Sequence, residues 1–241
     1  MRGWWREISG LVLPVACGGC GTPRTPLCEE CAWALYGTAA RRARPVPEPE
    51  GLPVVHAAAP YADAVRAVLL AHKERGAMGL ARPLGVALAG AVRAAVPRAT
   101  LGTGPLLLVP VPSARRAVRA RGHDAARRIA LAAAGELRRT GTEARALPVL
   151  RQRREVADQS GLTARRRVAN LAGALEVVAG GGRLLEGGRA VLVDDLMTTG
   201  ASLTEAARAL RAAPGLRFSG FASLSAAVVA VPPLSFEINR N

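Results

Sequence analysis

Arg189-Ala-Val-Leu-Val-Asp-Asp-Leu-Met-Thr-Thr-Gly-Ala-Ser202 is the stretch whose reading decides the fold. Val191 to Val193 form a short aliphatic run, and Leu203, Ala206, Ala207 and Leu210 recur at helical spacing, so the segment predicts strand, turn, helix. In open α/β sheets, ligands collect at the edge where such turns leave the strands. A helix N-terminus carries unpaired N–H groups and a partial positive charge. The amides of Thr199, Gly200, Ala201 and Ser202 and the hydroxyls of Thr198, Thr199 and Ser202 therefore suit a phosphate monoester. Gly200 lets the backbone approach it closely. Asp194 and Asp195 accept hydrogen bonds only, when ionised, which suits two vicinal sugar hydroxyls or a magnesium ion shared with a diphosphate.

Two other readings compete for the same residues. An apolar strand ending in two acids also describes the magnesium strand of a nucleotide hydrolase, but that fold needs Gly-x-x-x-x-Gly-Lys-Ser/Thr. The single lysine of the chain, Lys73, sits in His-Lys-Glu-Arg and supplies no such loop. The second is an ordinary helix cap, with Thr199 or Ser202 capping and Glu205 completing a capping box. Capping accounts for one hydroxyl and leaves two acids and two hydroxyls without a purpose.

The 241 residues, half of them hydrophobic, can bury one full core and a small appendage, so a globular α/β protein is expected. The apolar run Phe221 to Val231 is far shorter than the roughly 18 residues of a membrane span and reads as a late sheet strand. The opening segment to Cys17 faintly resembles a lipoprotein signal. Glu7 interrupts it and its apolar stretch is too short, which favours a cytoplasmic protein without membrane insertion. Net charge is +15, and residues 111–170 hold 15 arginines against five acids. Such a segment can serve a phosphorylated ligand or nucleic acid, or form solvated helix faces.

All four cysteines lie in Cys17-Gly-Gly-Cys20 and Cys28-Glu-Glu-Cys31. Two such knuckles can close a tetrahedral, structural zinc site; two disulfides are the alternative and need an oxidising compartment. Residues 1–40 thus read as a zinc-knuckle segment whose tryptophans, Trp4, Trp5 and Trp33, staple it to something apolar. Residues 41–53, rich in proline, read as a linker, and residues 54–241 as the main domain. In that domain helices are expected over Tyr61 to Ala71, ending in a turn at His72 to Gly76, and over Leu80 to Val96.

Leu106 to Pro112 reads as a buried strand closed by prolines. It leads to Arg121-Gly122-His123 before a helix over Ala125 to Leu137, a second phosphate candidate in which Arg121 and the Gly122 amide grip a diphosphate. His123 alone is a weak signal, since an unpaired histidine in a loop is more often a solvated or internally satisfied ring. Residues 150–170, with Arg154, Asp158-Gln159-Ser160, Arg165-Arg166-Arg167 and Asn170, are polar, basic and aperiodic, and read as a mobile flap that excludes water when it closes.

The acidic pair with its Thr-Thr-Gly turn resembles the phosphoribosyl pyrophosphate (PRPP) loop of type I phosphoribosyltransferases. The order of parts across nearly the whole chain resembles the ComF family, in which a zinc knuckle precedes such a domain. The matching residues are the four cysteines; Tyr61 through Arg66 to Lys73; Val109-Pro-Val-Pro112 with Arg121-Gly122; Gln159, Leu162, Arg166 or Arg167 and Asn170; and Asp194-Asp195-x-x-Thr-Thr-Gly200. The resemblance implies a central, mainly parallel sheet flanked by helices. It also implies that Asp194 and Asp195 engage the ribose hydroxyls, Thr198 to Ser202 the 5'-phosphate, and Arg121-Gly122 the pyrophosphate, with magnesium between diphosphate and ribose. His123 and Asp124 stand where the family has an aromatic residue and an asparagine. A second function class, a DNA-handling module of competence or recombination that binds single-stranded DNA or partner proteins, fits the charge and the knuckle. Against it, none of the eight aromatic residues lies in the basic middle, which leaves no base-stacking platform there.

Overall fold

The computed structural model describes residues 16–97, 104–154, 156, 163–213 and 224–236. Trp4, Trp5 and the flap residue Gln159 lie outside them. After the cysteine turns come helix α1 (Glu29–Tyr36), strands β1 (Arg41–Ala43) and β2 (Val54–Pro60), and helix α2 (Asp63–Glu74). A 3-10 turn over Met78–Leu80, helix α3 (Ala81–Ala95), strand β3 (Leu106–Pro110), helices α4 (Arg115–Arg121) and α5 (Ala125–Arg139), and strand β4 (Ala144–Ala146) follow. The rest comprises β5 (Leu150–Gln152), α6 (Ala164–Leu171), β6 (Leu175–Val177), the single turn α7 (Gly181–Leu184), β7 (Arg189–Leu196), α8 (Ala201–Arg211) and β8 (Ser225–Val231).

Six strands form one sheet in the order β1-β2-β8-β7-β3-β4, all parallel except the edge strand β1. β5 and β6 form a separate antiparallel pair. The aliphatic runs are continuous because both faces of the sheet are covered. Leu106, Leu108, Val191 and Val193 face one core with α2, α3 and α5, while Leu107, Val109 and Leu192 face a second with α8. Complete burial of side chains such as Leu84, Leu88 and Val92 contributes about 1.5–3 kcal/mol each. Gly85 on α3 lies against Ala132 and Ala133 of α5, where an added Cβ would come within 2.5 Å of the Ala132 Cβ, so only glycine allows this approach.

The strand order fixes where a ligand can enter. The connection after β3 runs to β4 on one side, and that after β7 runs to β8 on the other. Parallel crossovers are right-handed, so the two connections cover opposite faces and leave a crevice outside the carboxyl ends of β3 and β7. The loop bearing Arg121 and the loop bearing the Thr-Thr-Gly turn emerge on either side of it.

Several elements differ from the sequence-based expectations. The start of the expected linker is strand β1, with Arg41 opposite Ala57 and Ala43 opposite Val55. The cysteine segment is no separate appendage either: Leu35 of α1 is fully buried in the same core as Val65, Leu69, Leu80 and Leu84. Trp33, expected as a staple, is 68% exposed. α2 continues past Ala71 through Lys73 and Glu74 until Gly76, whose φ of 70° stops it. Residues 150–154 and 163–170 are not irregular flap: they contribute strand β5 and helix α6, the latter capped by Thr163, whose hydroxyl accepts from the Arg166 N–H. None of the described helices is long and apolar enough to cross a membrane.

Candidate functional site

Side chains alternate along β7, so its two acids leave the strand towards opposite faces. Asp195, in phase with Val191 and Val193, turns towards the α2 side, where Lys73 Nζ donates to Asp195 Oδ2 at 2.6 Å. This pair is mostly enclosed, with the Asp195 side chain 7% and the Lys73 side chain 34% exposed. Asp194 is half-buried and accepts the Asp195 N–H on Oδ1 at 2.8 Å. Burial, and then the neighbouring Asp195 charge, push the Asp194 carboxyl well above the usual carboxylate range. Burial alone would lower the Lys73 ammonium, but the charges of Asp195 and Asp194 outweigh it and hold it above the ordinary lysine value. Asp194 and Asp195 are the carboxylates here that could accept a divalent cation, whose charge would offset the burial and the Asp195 charge that raise Asp194.

The turn after β7 brings the expected phosphate residues together. Gly200, at φ 77°, stands at the N-cap of α8, and no side chain caps the helix. Ser202 does not take part in a capping box, because Glu205 points elsewhere. The Glu205 carboxylate accepts the Leu175 N–H of β6 at 2.9 Å and two guanidinium bonds from Arg208, so it ties α8 to the β5–β6 pair. Ala201 is buried, Thr199 and Ser202 half-buried and Thr198 exposed. Gly200 has a steric reason beyond its φ, since an added Cβ would lie 3.0 Å from Leu52 Cδ1 and 3.4 Å from Pro45 Cγ. The segment expected as a linker thus packs under the turn.

Across the crevice, Gly122 ends α4 in the left-handed region, and its N–H donates to Val118 O. That amide is engaged within the helix end, and the guanidinium of Arg121 is the charged group beside it. Arg121 bonds Ala117 O through Nε and reaches Lys73 O and the Glu74 carboxylate through NH1, which sets it beside Lys73. Asp124 caps α5, accepting the Arg127 N–H, and also accepts from the Ser113 hydroxyl. His123 is buried rather than solvated, with ring nitrogens 3.1 Å from Arg121 O and 3.2 Å from His72 O. Arg115, Arg119 and Arg151 line an open cleft of about 310 Å³ between this loop and β5.

Arg167 of α6 reaches the turn after β7, donating from NH1 to Thr198 Oγ1 at 3.1 Å. Arg154 donates to the carbonyls of Asn170 and Ala172 and so braces the end of α6. Gln159 lies outside the described residues.

The four cysteine sulfurs, Cys17, Cys20, Cys28 and Cys31, lie within 4.8 Å of one another and can hold a metal ion. Sulfurs around a tetrahedral metal at 2.3 Å stand about 3.8 Å apart. The Cys17–Cys28 and Cys20–Cys28 separations are 3.7 and 3.5 Å. Burial pushes the Cys17 thiol up, but backbone N–H groups of Cys20, Cys28 and Gly19 outweigh it and bring it down to about 6. The hydroxyl and amide of Thr22 lower Cys20, whereas burial and the adjoining sulfurs push Cys31 up. A cation among them favours the thiolate at all four.

Sequence reasoning named Lys73 and Arg166 or Arg167 among the matching residues without giving Lys73 a role, and read Glu205 only as part of a capping box. Lys73 carried the one available signal, being the sole lysine beside 32 arginines. A scan against protein-family models and a search of the curated proteins find no match to the chain.

Proposed function

We propose that this protein binds PRPP with magnesium and transfers its phosphoribosyl group to an acceptor, releasing pyrophosphate. One observation carries the reading: an acidic pair and an uncapped, glycine-started helix leave β7 together at the crevice where the sheet connections diverge. The amides at the start of α8 and the hydroxyls of Thr198, Thr199 and Ser202 bind the 5'-phosphate. Asp194 and Asp195 take the ribose hydroxyls and, with them, the metal. Magnesium, when bound, neutralises charge developing on the diphosphate. Arg121 faces the departing pyrophosphate, and Arg167 closes on the phosphate turn through Thr198. Bond breaking at C1 leaves an oxocarbenium-like sugar, so stabilising the leaving anion and excluding water are the tasks of the chain, and no nucleophilic side chain is needed. The cysteine cluster is read as a structural zinc site, since four thiolates leave no open position for substrate. Such a site suits a reducing compartment, the cytoplasm.

Calorimetry with PRPP in the presence and absence of magnesium tests the reading. Magnesium-dependent binding that disappears in Asp194→Ala/Asp195→Ala is expected. No binding by the unaltered protein, or unchanged binding by the double variant, would refute it.

A further inference from the structure

In a chain that uses arginine for every other basic residue, the one lysine is set on the inner carboxylate of the acidic pair. The choice has a physical consequence. A guanidinium would clasp a carboxylate through two parallel bonds and hold it, whereas an ammonium on a flexible stem is a compact charge that can leave one partner for another. Lys73 also has somewhere to go. It belongs to α2, its side chain keeps a third of its surface open, and its backbone carbonyl is bonded to Arg121, the cation on the other wall of the crevice.

Charge balance then dictates what happens when a ligand enters. Without ligand, the Lys73 ammonium is paired with Asp195 and the Arg121 guanidinium with Glu74. A divalent cation that takes Asp195 removes the partner of Lys73 and leaves its ammonium beside the Arg121 guanidinium and short of negative charge. An arriving diphosphate restores the balance.

We propose that Lys73 is an exchangeable counterion: it holds Asp195 in the ligand-free protein, yields it to the metal, and then binds the diphosphate of the incoming sugar. The inference rests on the PRPP reading above and adds to it a residue that couples metal entry to diphosphate binding. Such coupling disfavours metal binding alone and favours metal and diphosphate arriving together, because either one by itself leaves a charge unpaired at the crevice.

Binding measurements on Lys73→Met separate this from a merely structural role, because they should move in opposite directions. PRPP affinity in magnesium is expected to fall by about tenfold to a hundredfold, the loss of one charge-assisted contact. Ribose 5-phosphate affinity, which involves no diphosphate, should stay within about threefold of the unaltered protein. The affinity for Mn²⁺ alone, read by electron paramagnetic resonance, should rise because Asp195 is released. Lys73→Gln, whose amide still donates to Asp195 and so protects the fold, is expected to show the same PRPP loss, and Lys73→Arg, whose guanidinium clasps Asp195 through two bonds, to recover only part of it and to weaken Mn²⁺ binding. If the Met or Gln variant binds PRPP within about twofold of the unaltered protein, or if Mn²⁺ binding weakens in the Gln variant, Lys73 is not this counterion. If the unaltered protein binds neither PRPP nor ribose 5-phosphate, the parent reading falls, and this inference with it.

Discussion

Removing the Glu205 carboxylate should destabilise the fold by about 2–4 kcal/mol, and the loss should depend on pH. Its side chain is 4% exposed and accepts from the Leu175 N–H at 2.9 Å and from Arg208 through Nε and NH2, each at 2.8 Å. In Glu205→Ala the Leu175 N–H loses its acceptor inside the protein, which costs about 1–3 kcal/mol, and a charge-assisted pair is lost as well. The Arg208 side chain is 49% exposed and recovers part of that by hydration, which keeps the total at the lower end for a broken buried pair. In Glu205→Gln the amide can still accept from Leu175 but turns a donor towards Arg208, so an intermediate loss of about 1.5–3 kcal/mol is expected. Burial would raise this carboxyl, but the guanidinium of Arg208 and the backbone N–H groups of Leu175 and Gly173 outweigh it and leave it below the ordinary glutamate value. A depressed carboxyl contributes stability that is complete above its unfolded value, about 4.3, and is lost as pH falls through the lower folded value. Urea unfolding at pH 7 and again near pH 3 measures both parts: the gap between Glu205→Gln and the unaltered protein should be full at the first and shrink at the second. An Ala variant within about 0.5 kcal/mol of the unaltered protein at pH 7, or a Gln gap that persists undiminished in acid, would refute the reasoning.

Gly200→Ala forces a left-handed φ on a residue with a Cβ and presses that Cβ on Leu52, so a net destabilisation of about 1–2 kcal/mol is expected after the gain in unfolded-chain rigidity. The urea midpoint reads it, and an unchanged midpoint would mean the turn relaxes freely. One zinc ion per chain should be released on treatment with mercuribenzoate, and a strong chelator should lower the thermal midpoint by about 4–8 °C, equivalent to about 2 kcal/mol for a chain of this size. A metal content of zero in protein purified without chelator, or a midpoint insensitive to its removal, contradicts a structural metal.

What the residues reveal on their own is set by how local the physics is. Val191 to Val193 and Leu106 to Val109 could be read as buried strands because an unbroken aliphatic run fits a sheet covered on both faces. The cysteine spacing was equally legible, since four ligands within 15 residues constrain one another. Helix α6 was missed because Ala-Arg-Arg-Arg-Val-Ala-Asn-Leu has only Val168 and Leu171 as an apolar stripe; the capping Thr163 was the signal that could have found it. β1 was missed because Arg41 to Ala43 carries no alternation that survives at a sheet edge. The Asp195 partner of Lys73 and the Leu175 partner of Glu205 could not be read, being 122 and 30 residues away and brought close only by the fold. The Gly200 turn was visible, but Leu52 and Pro45 beneath it were not, since nothing in a proline-rich stretch says what it will cover.

The position of α2 explains why a cysteine knuckle and a ligand crevice share one body. Its first turn lies beside the knuckle, where a Cβ on Gly19 would come within 3.4 Å of the Ala64 Cβ, and α1 packs Leu35 among Val65 and Leu69. Its last turn carries Lys73, whose ammonium is on Asp195, and His72, whose carbonyl faces the His123 ring. Twelve residues of helix span about 18 Å, and a helix transmits a displacement at one end with little loss. One helix thus runs from the cysteine cluster to the Lys73–Asp195 pair. No hinge interrupts the helix between the cysteine cluster and Lys73, because α2 contains neither glycine nor proline from Asp63 to Glu74.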